Sequence, residues 1–335
     1  MRNPFGVFGR APVPTVGKAS SRRELSAVPP DVRRLIREQR YFQVLAPQSG
    51  VEFDEVSVSL AWQSVEAAMA LVPQGQVPLR QERASEDPDG FSIDSAHCQS
   101  TNVEPFYMDR TAVSNTEFLH FVQAGGYSDA SLWPQEILPT VLQFVDQTRQ
   151  PGPHFWSGGE PDKDQGDHPV VGICWYEANA YAKWLGKQLP TAAQWQRAGT
   201  WSRSAGRSAG EVRYPWGNSF DPQHANLWAS GRGGTVPVHA LADGDTAGGI
   251  RQLIGNVWEW LNTQYVVLAE DGLEVFLPDA MAETRGGAFD TYFHSQATCQ
   301  FRTGQPLTHR AANIGFRCCR ALEGLAPQPQ PAEAP

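Results

Sequence analysis

Apolar residues recur at helical spacing in only a few stretches of this chain, and most of those lie in its first two thirds. Pro29-Pro30-Asp31 opens the first. Val32, Leu35 and Ile36 share one face, with Arg33, Arg34, Arg37 and Glu38 mostly opposite, which predicts a helix running to about Leu45. Between Gly50 and Ala70 the pattern is ambiguous. A helix near Leu60 to Met69 fits, but Val56-Ser57-Val58-Ser59-Leu60 alternates like a strand, and periodicity leaves both open. Phe106 to Asp109 reads as a short strand. A helix then opens with Ser114 or Asn115 as cap, Glu117 near its positive end, and Phe118, Phe121 and Val122 inward. A second helix follows His168–Gly172, carries Glu177 to Leu185 and is stopped by Gly186. A third starts at Leu189-Pro190-Thr191, with Thr191 as cap and Trp195 and Ala198 inward. Beyond Gly199, Gly, Pro, Asn and Asp punctuate the chain every few residues, which predicts turns and short strands. Helices followed by short strands and long loops make an α+β chain.

Composition sharpens this picture. Ten of eleven tryptophans lie between Trp133 and Trp260, a density suited to irregular loops pinned by aromatic anchors. No apolar run approaches the length of a membrane span. The N-terminal stretch lacks the apolar core of a secretory signal, so a cytoplasmic protein is expected. Five cysteines, Cys98, Cys174, Cys299, Cys318 and Cys319, are odd in number, and two are adjacent, which speaks against a disulfide framework. Net charge is −9, yet residues 1–40 sum to +6 and the remainder to −15. A basic arm (1–28) and helical extension (29–67) on an acidic body fit docking onto an anionic surface, lipid or protein; a solvated tail fits the same residues. An acidic body without a basic stripe argues against nucleic acid as the main partner. Residues 323–335 are Pro-rich and are expected to be extended.

Seven signatures follow one another between Phe106 and Arg317: FYMDRTAVSNTEFLHFV, HPVVGICWYEANAYAKWLGKQLPTAAQWQRAG, YPWGN, ANLW, GNVWEW, RGGAF and NIGFRCC. In that order they resemble the domain of formylglycine-generating enzymes, the sulfatase-modifying factors. The resemblance covers residues 68–322, with MALVPQGQVPL as the first strand and turn. It implies a C-type-lectin-like fold: a small twisted antiparallel sheet, flanking helices and long irregular loops. The family includes copper-dependent oxidases, iron-dependent sulfoxide synthases and purely ligand-binding proteins, so fold alone does not assign function.

The departures from the family pattern carry the functional reading. In the oxidases two cysteines after the RGGS-type turn hold copper as thiolates, soft ligands that suit Cu(I). Here the first position falls on Asp290 or Thr291 and the second on Thr298 or Cys299, so the pair is missing and copper is not expected. The sulfoxide synthases draw histidines from an N-terminal helical domain, and residues 1–96 contain none. The family's structural calcium implies ligands at Gln252, Gly255, Val257 and Glu259, oxygens that suit a hard cation. Glu259 also fits a buried carboxylate held by its neighbours. The second calcium site begins at Asn226-Leu227-Trp228, and the residues that follow supply an arginine and no carboxylate. The three glutamates of the family's LPT helix are Ala192, Gln194 and Gln196 here, which implies loss of a salt-bridge web or a surface turned to contact.

Two classes stay open. One is a non-catalytic binding or accessory subunit that docks through its N-terminal extension and loop face onto a larger, membrane-associated or soluble protein assembly. The other is a divergent metal-dependent oxidoreductase using Asp290, His294, Cys299 or His309 with iron or copper. Loss of the cysteine pair, one calcium site and the helix glutamates favours the first.

Overall fold

The structure is a computed structural model and describes residues 28–46, 51–79, 99–201, 212–268, 274–275 and 279–328. The basic arm up to residue 27, His97, Cys98 and the last seven residues lie outside these.

The N-terminal extension is helical, but it is broken. Helix α1 (Pro30–Arg37) stops where Gln39 takes a left-handed φ of 58°, and α2 (Phe42–Leu45) follows as a separate short turn. The predicted single helix to Leu45 is therefore two. The break follows from tertiary contacts: Gln39 Nε2 donates to Glu117 Oε1, and the Arg40 guanidinium lies 4.9 Å from the Trp184 ring. The ambiguous stretch is a helix, α3 (Glu55–Ala68), capped by the Asp54 carboxylate accepting from the Ser57 N–H at 2.7 Å. Strand-like alternation over Val56–Leu60 loses to a cap and a buried stripe of Ser57, Ala61, Trp62 and Val65.

The body starts at once from α3. Strand β1 (Met69–Val72) pairs antiparallel with β4 (Phe106–Asp109), which pairs antiparallel with β11 (Cys319–Ala321). Strands β2 (Gly75–Leu79) and β3 (Gln99–Val103) form a separate antiparallel pair. Helix α4 (Asn115–Gln123) opens on a capping box of Ser114 and Glu117, then comes the short α5 (Leu138–Val141). Helix α6 (Trp175–Trp184) ends at Gly186, φ 72°, and α7 (Ala192–Thr200) has Thr191 and Gln194 as its capping pair. A second sheet follows: β5 (Trp258–Gln264), β8 (Met281–Arg285), β9 (Thr303–Pro306) and β10 (Ile314–Gly315), in the order β10-β5-β8-β9. Only β10–β5 is parallel. Between β5 and β8 lie the two-residue strands β6 (Val267–Leu268) and β7 (Glu274–Val275), paired antiparallel.

Long loops between these elements are fastened by tryptophan ring N–H groups. Trp133 donates to Gly126 O, Trp156 to Asn115 Oδ1, Trp175 to Leu261 O and Trp260 to Ile173 O, at 2.9–3.3 Å. Trp133, Trp156 and Trp260 are buried and Trp175 is half-buried, and each spends its one polar group on a backbone carbonyl or amide of another segment, which orders a loop without regular secondary structure. The extension has its own apolar core around Val32, Phe42, Leu45, Trp62 and Val65, closed against Met69 and Tyr107 of the body. The start of the Pro-rich tail belongs to that core too. Leu325 packs into it, and Ala326 N–H donates to Leu45 O at 2.7 Å. Among the described residues no helix is long and apolar enough to cross a membrane.

Candidate functional site

The loop segment 286–301 is where the family's copper chemistry would sit. It folds as consecutive turns after β8. Thr291 Oγ1 accepts from the Ala288 N–H at 2.8 Å, and Thr298 Oγ1 accepts from the Phe301 N–H at 3.1 Å. Both hydroxyls act as turn caps. Cys299 is fully buried in the core with Leu253 and Ala297, against Gly199, whose missing side chain makes room for the sulfur. Asp290 is exposed and accepts from Asn313 Nδ2 at 3.0 Å. His294 is exposed and lies against Phe220, ring centroids 4.9 Å apart, and His309 is exposed on the turn after β9. The four proposed ligands thus sit in separate settings: a surface amide contact, an aromatic contact, the core and a turn. Among the described residues no three His, Cys, Asp or Glu side chains gather where they could hold a metal ion.

The calcium positions do not fit a cation either. The Glu259 carboxylate is buried and faces the fully buried Arg317. Arg317 Nε donates to both oxygens at 2.9 Å, Nη2 donates to Oε1 at 2.6 Å, and Trp195 Nε1 donates to Oε2 at 2.8 Å. A dication here would have to displace a guanidinium and approach a positive charge. Gln252 is spent as well: Oε1 accepts from Asn256 Nδ2 at 2.7 Å, and Nε2 donates to the carbonyls of Pro237 and Ala240. Gly255 O accepts from Val257 N–H at 3.0 Å. This stretch is a buried salt bridge carrying a strained turn, with Gln252 and Asn256 both at positive φ.

The altered LPT helix is buried rather than offered for contact. Ala192, Ala193, Trp195 and Gln196 all face the interior. Gln194 closes the capping box, and Gln196 bridges two groups, its Oε1 accepting from Arg285 Nη1 at 2.9 Å and its Nε2 donating to Pro78 O at 2.8 Å. A glutamate at position 196 could not make the second bond. The Arg285 charge is met instead by Glu283, two residues away on the same strand.

Three features escaped the sequence reading. Arg317 links the two sheets, bonding Glu259 of β5 and Asp109 O of β4, and Arg285 ties β8 to Gln196 of α7 and to Cys299 O; the available signal was a lone arginine among small and apolar neighbours, Gly-Phe-Arg-Cys-Cys and Thr-Arg-Gly-Gly-Ala. Lys187 is fully buried, donates to Asp109 Oδ1 at 2.7 Å and lies 5.0 Å from the Tyr41 ring, so it ties the extension to the body. Burial alone would favour its neutral form, but the Asp109 carboxylate outweighs that and raises its pKa, while burial pushes the Tyr41 hydroxyl up to about 12. Cys318 and Cys319 are packed nearby, and burial pushes both thiols up, so they are held as neutral packing groups.

The third is an aromatic cluster on the loop face. Trp228, Tyr292 and Phe293 are 60%, 67% and 55% exposed. Trp228 and Tyr292 have ring centroids 6.3 Å apart, and Tyr292 and Phe293 5.0 Å. The cluster is tied to segment 286–301 by Trp228 N–H donating to Thr291 O at 3.2 Å.

Comparison with known proteins agrees with this architecture. The family described as "Sulfatase-modifying factor enzyme 1-like domain" matches residues 57–322. The formylglycine-generating enzyme of Thermomonospora curvata is 33% identical over 302 residues, 76% of this chain and 94% of that protein. The inactive C-alpha-formylglycine-generating enzyme 2 of Bos taurus is 28% identical over 278 residues, 75% of this chain and 87% of that protein. The structure of PvdO from Pseudomonas aeruginosa superposes with a TM-score of 0.51 at 22% identity, covering 76% of this chain and 94% of that one. The sheets, helices and long loops described above are those of the C-type-lectin-like fold, and the chain belongs to the family of formylglycine-generating enzymes.

Proposed function

We propose that this chain is a non-catalytic binding or accessory module built on the formylglycine-generating-enzyme scaffold, with the loop face as its docking surface for a protein partner. The observation that carries this reading is the exposed trio Trp228, Tyr292 and Phe293, set beside a segment whose candidate copper positions hold turn-capping threonines. Three large aromatic side chains at more than half exposure give up apolar burial in the free chain, and a partner would restore it. Threonine hydroxyls already used by backbone N–H groups do not offer the soft thiolate pair that Cu(I) takes. The resemblance to an inactive relative at 28% identity is consistent with a scaffold kept while its chemistry is dropped. A cytoplasmic setting, and a second contact through the basic residues 1–40 to an anionic lipid or protein surface, belong to the same proposal.

The test is affinity purification from the native source with metals and partners both measured. A specific partner retained by the wild type, lost on substituting Trp228, Tyr292 and Phe293 by Ala, and unaffected by Val56→Ala at a distant exposed site, supports the reading. Stoichiometric copper or iron that disappears with His294→Ala or Cys299→Ser would overturn it in favour of a divergent metal-dependent oxidoreductase. Deleting residues 1–28 tests the arm separately: if every association survives, the arm is not a docking element.

A further inference from the structure

A cavity of about 340 Å³ lies at the seam between the helical extension and the body, remote in sequence from the loop segment 286–301. Its lining includes Gln39 from the extension, Asp109 and Arg110 from the end of β4, Glu117 from α4, Tyr181 from α6 and Arg251 from the loop before β5. Its volume falls in the range of small-molecule sites. Asp109, Arg110 and Glu117 stand in the first family signature and Tyr181 in the second, but neither the copper and calcium chemistry that the resemblance implies nor the proposed docking surface uses this cavity.

Its charges can be paired off one by one. Asp109 is neutralised by the buried Lys187 at 2.7 Å, and its other oxygen accepts from the Cys318 N–H. Arg251 is neutralised by Asp245, with Nε and Nη2 donating to the two carboxylate oxygens at 2.9 and 2.8 Å. Two charges on the lining remain. Arg110 donates only to backbone carbonyls, to Gly248 at 2.8 Å and Glu66 at 3.3 Å, and has no carboxylate partner among the described residues. Glu117 accepts from the N–H and hydroxyl of Ser114 and from Gln39 Nε2, all of them uncharged donors, and has no cationic partner among the described residues. One cation and one anion, neither with an ion-pair partner among the described residues, therefore border the same cavity.

We infer that this cavity binds a small zwitterion of the α-amino-acid class, with its carboxylate on Arg110 and its ammonium on Glu117. A simple anion would meet Arg110 but be repelled by Glu117, and a simple amine would meet the reverse, so only a ligand with both charges gains at both positions. A guanidinium receives a carboxylate through paired N–H groups, and a carboxylate receives an ammonium through its free lone pairs. Gln39 is the extension's contribution. It sits on the strained break between α1 and α2 and bonds Glu117, so the extension completes the wall of the cavity.

The experiment uses the full chain and isothermal titration calorimetry with each free proteinogenic L-α-amino acid. For each binder, the N-acetyl and carboxamide forms of the same amino acid are titrated in parallel. At least one free amino acid is expected to bind, and blocking either end is expected to weaken it by about tenfold or more, the scale of one charge-assisted hydrogen bond. Arg110→Met should lose the preference for the free carboxylate while keeping the preference for the free amine, and Glu117→Gln, which retains the cap, should do the reverse. Thermal unfolding of each variant checks that it folds, and if one does not, the blocked ligands on the wild type decide alone. The inference is overturned if no free amino acid binds, or if the acetylated and amidated forms bind as well as the free one. It is overturned equally if folded Arg110→Met binds and discriminates like the wild type. None of these results depends on whether Trp228, Tyr292 and Phe293 dock a partner.

Discussion

Replacing Glu259 with Gln separates a structural salt bridge from a calcium site at the same residue. Glu259 is 1% exposed and Arg317 0%, and three of the guanidinium's contacts to the carboxylate fall between 2.6 and 2.9 Å. Gln keeps the volume and one acceptor but removes the charge, leaving the Arg317 guanidinium buried without a counter-ion. It also turns an NH2 group toward donors, either Arg317 or the Trp195 ring N–H at 2.8 Å. Breaking a buried ion pair from one side costs about 3–5 kcal/mol. In a domain of this size each kcal/mol lowers Tm by about 2–4 °C, so a fall of roughly 6–20 °C is expected. The assay is thermal unfolding by circular dichroism for the wild type, Glu259→Gln, Arg317→Met and the double variant, each with calcium and with chelator. The double variant should be less destabilised than the two singles added, because no charge is left stranded. It should not reach wild-type stability, since the carbonyls of Asp109, Arg110 and Arg251 lose the donors that Arg317 supplies. Calcium and chelator should leave every Tm in place. A Glu259→Gln variant within about 1 kcal/mol of wild type would refute the reasoning. So would a calcium-dependent rise in Tm that this substitution abolishes.

The remaining predictions concern titration, reactivity and backbone strain. His168 is held below its ordinary pKa, chiefly by desolvation and against the pull of Asp167, so by NMR its ring should titrate below about 6.5. With the folded pKa depressed, the neutral form's contribution is present above the unfolded pKa and is lost as pH falls through the folded one. His168→Gln should remove that loss, and an unchanged stability profile between pH 7 and 5 would count against it. Cys174, Cys299, Cys318 and Cys319 are buried, so iodoacetamide should leave all four unmodified in the native protein and label them after unfolding, read by peptide mapping; native labelling of Cys318 or Cys319 would contradict their packing role. Gly255 has φ 81°, and a Cβ there would lie 2.7 Å from Asn226 O, so Gly255→Ala should cost about 1–3 kcal/mol in chemical denaturation; a neutral result would mean that the turn relaxes freely.

Local signals carried the fold a long way where the physics is itself local. Ser114 with Glu117, Thr191 with Gln194, and Gly186 at φ 72° are one-turn devices whose partners lie within three or four residues, so their spacing in sequence is their geometry. The break at Gln39 is different. Nothing around it is a turn signal; Gln39 bonds Glu117 and its neighbour Arg40 lies on the Trp184 ring, contacts that a helical period cannot report. The docking of Leu325 and Ala326 on the extension is equally remote, since a Pro-rich composition says only that the segment need not be regular.

The site was legible in its losses more than in its replacements. Residue identity alone shows that the segment after Gly287 lacks a cysteine pair, because a missing thiolate needs no coordinates. It does not show whether Asp290, His294, Cys299 and His309 converge, and they do not: within the turns capped by Thr291 and Thr298, Cys299 enters the core while Asp290 and His294 stay on the surface, and His309 lies on a separate turn after β9. The arginines reverse the problem. Arg285 and Arg317 stand inside the very motifs that mark the family, yet motif reading treats them as punctuation around glycine and phenylalanine. Their burial requires counter-charges, and those counter-charges are Glu283 and Glu259. Once Glu259 is paired with Arg317 its oxygens face a positive charge, so a single long-range pairing accounts for both the packing of β5 and the poor fit of the turn before it to a cation. The same accounting, carried across the seam cavity, leaves Arg110 and Glu117 as the charges that packing does not neutralise. In this scaffold Arg110 and Glu117 of the first family signature keep a charge to spare where the extension meets the body, while Glu259, Arg285 and Arg317 of the later signatures are spent on holding the fold.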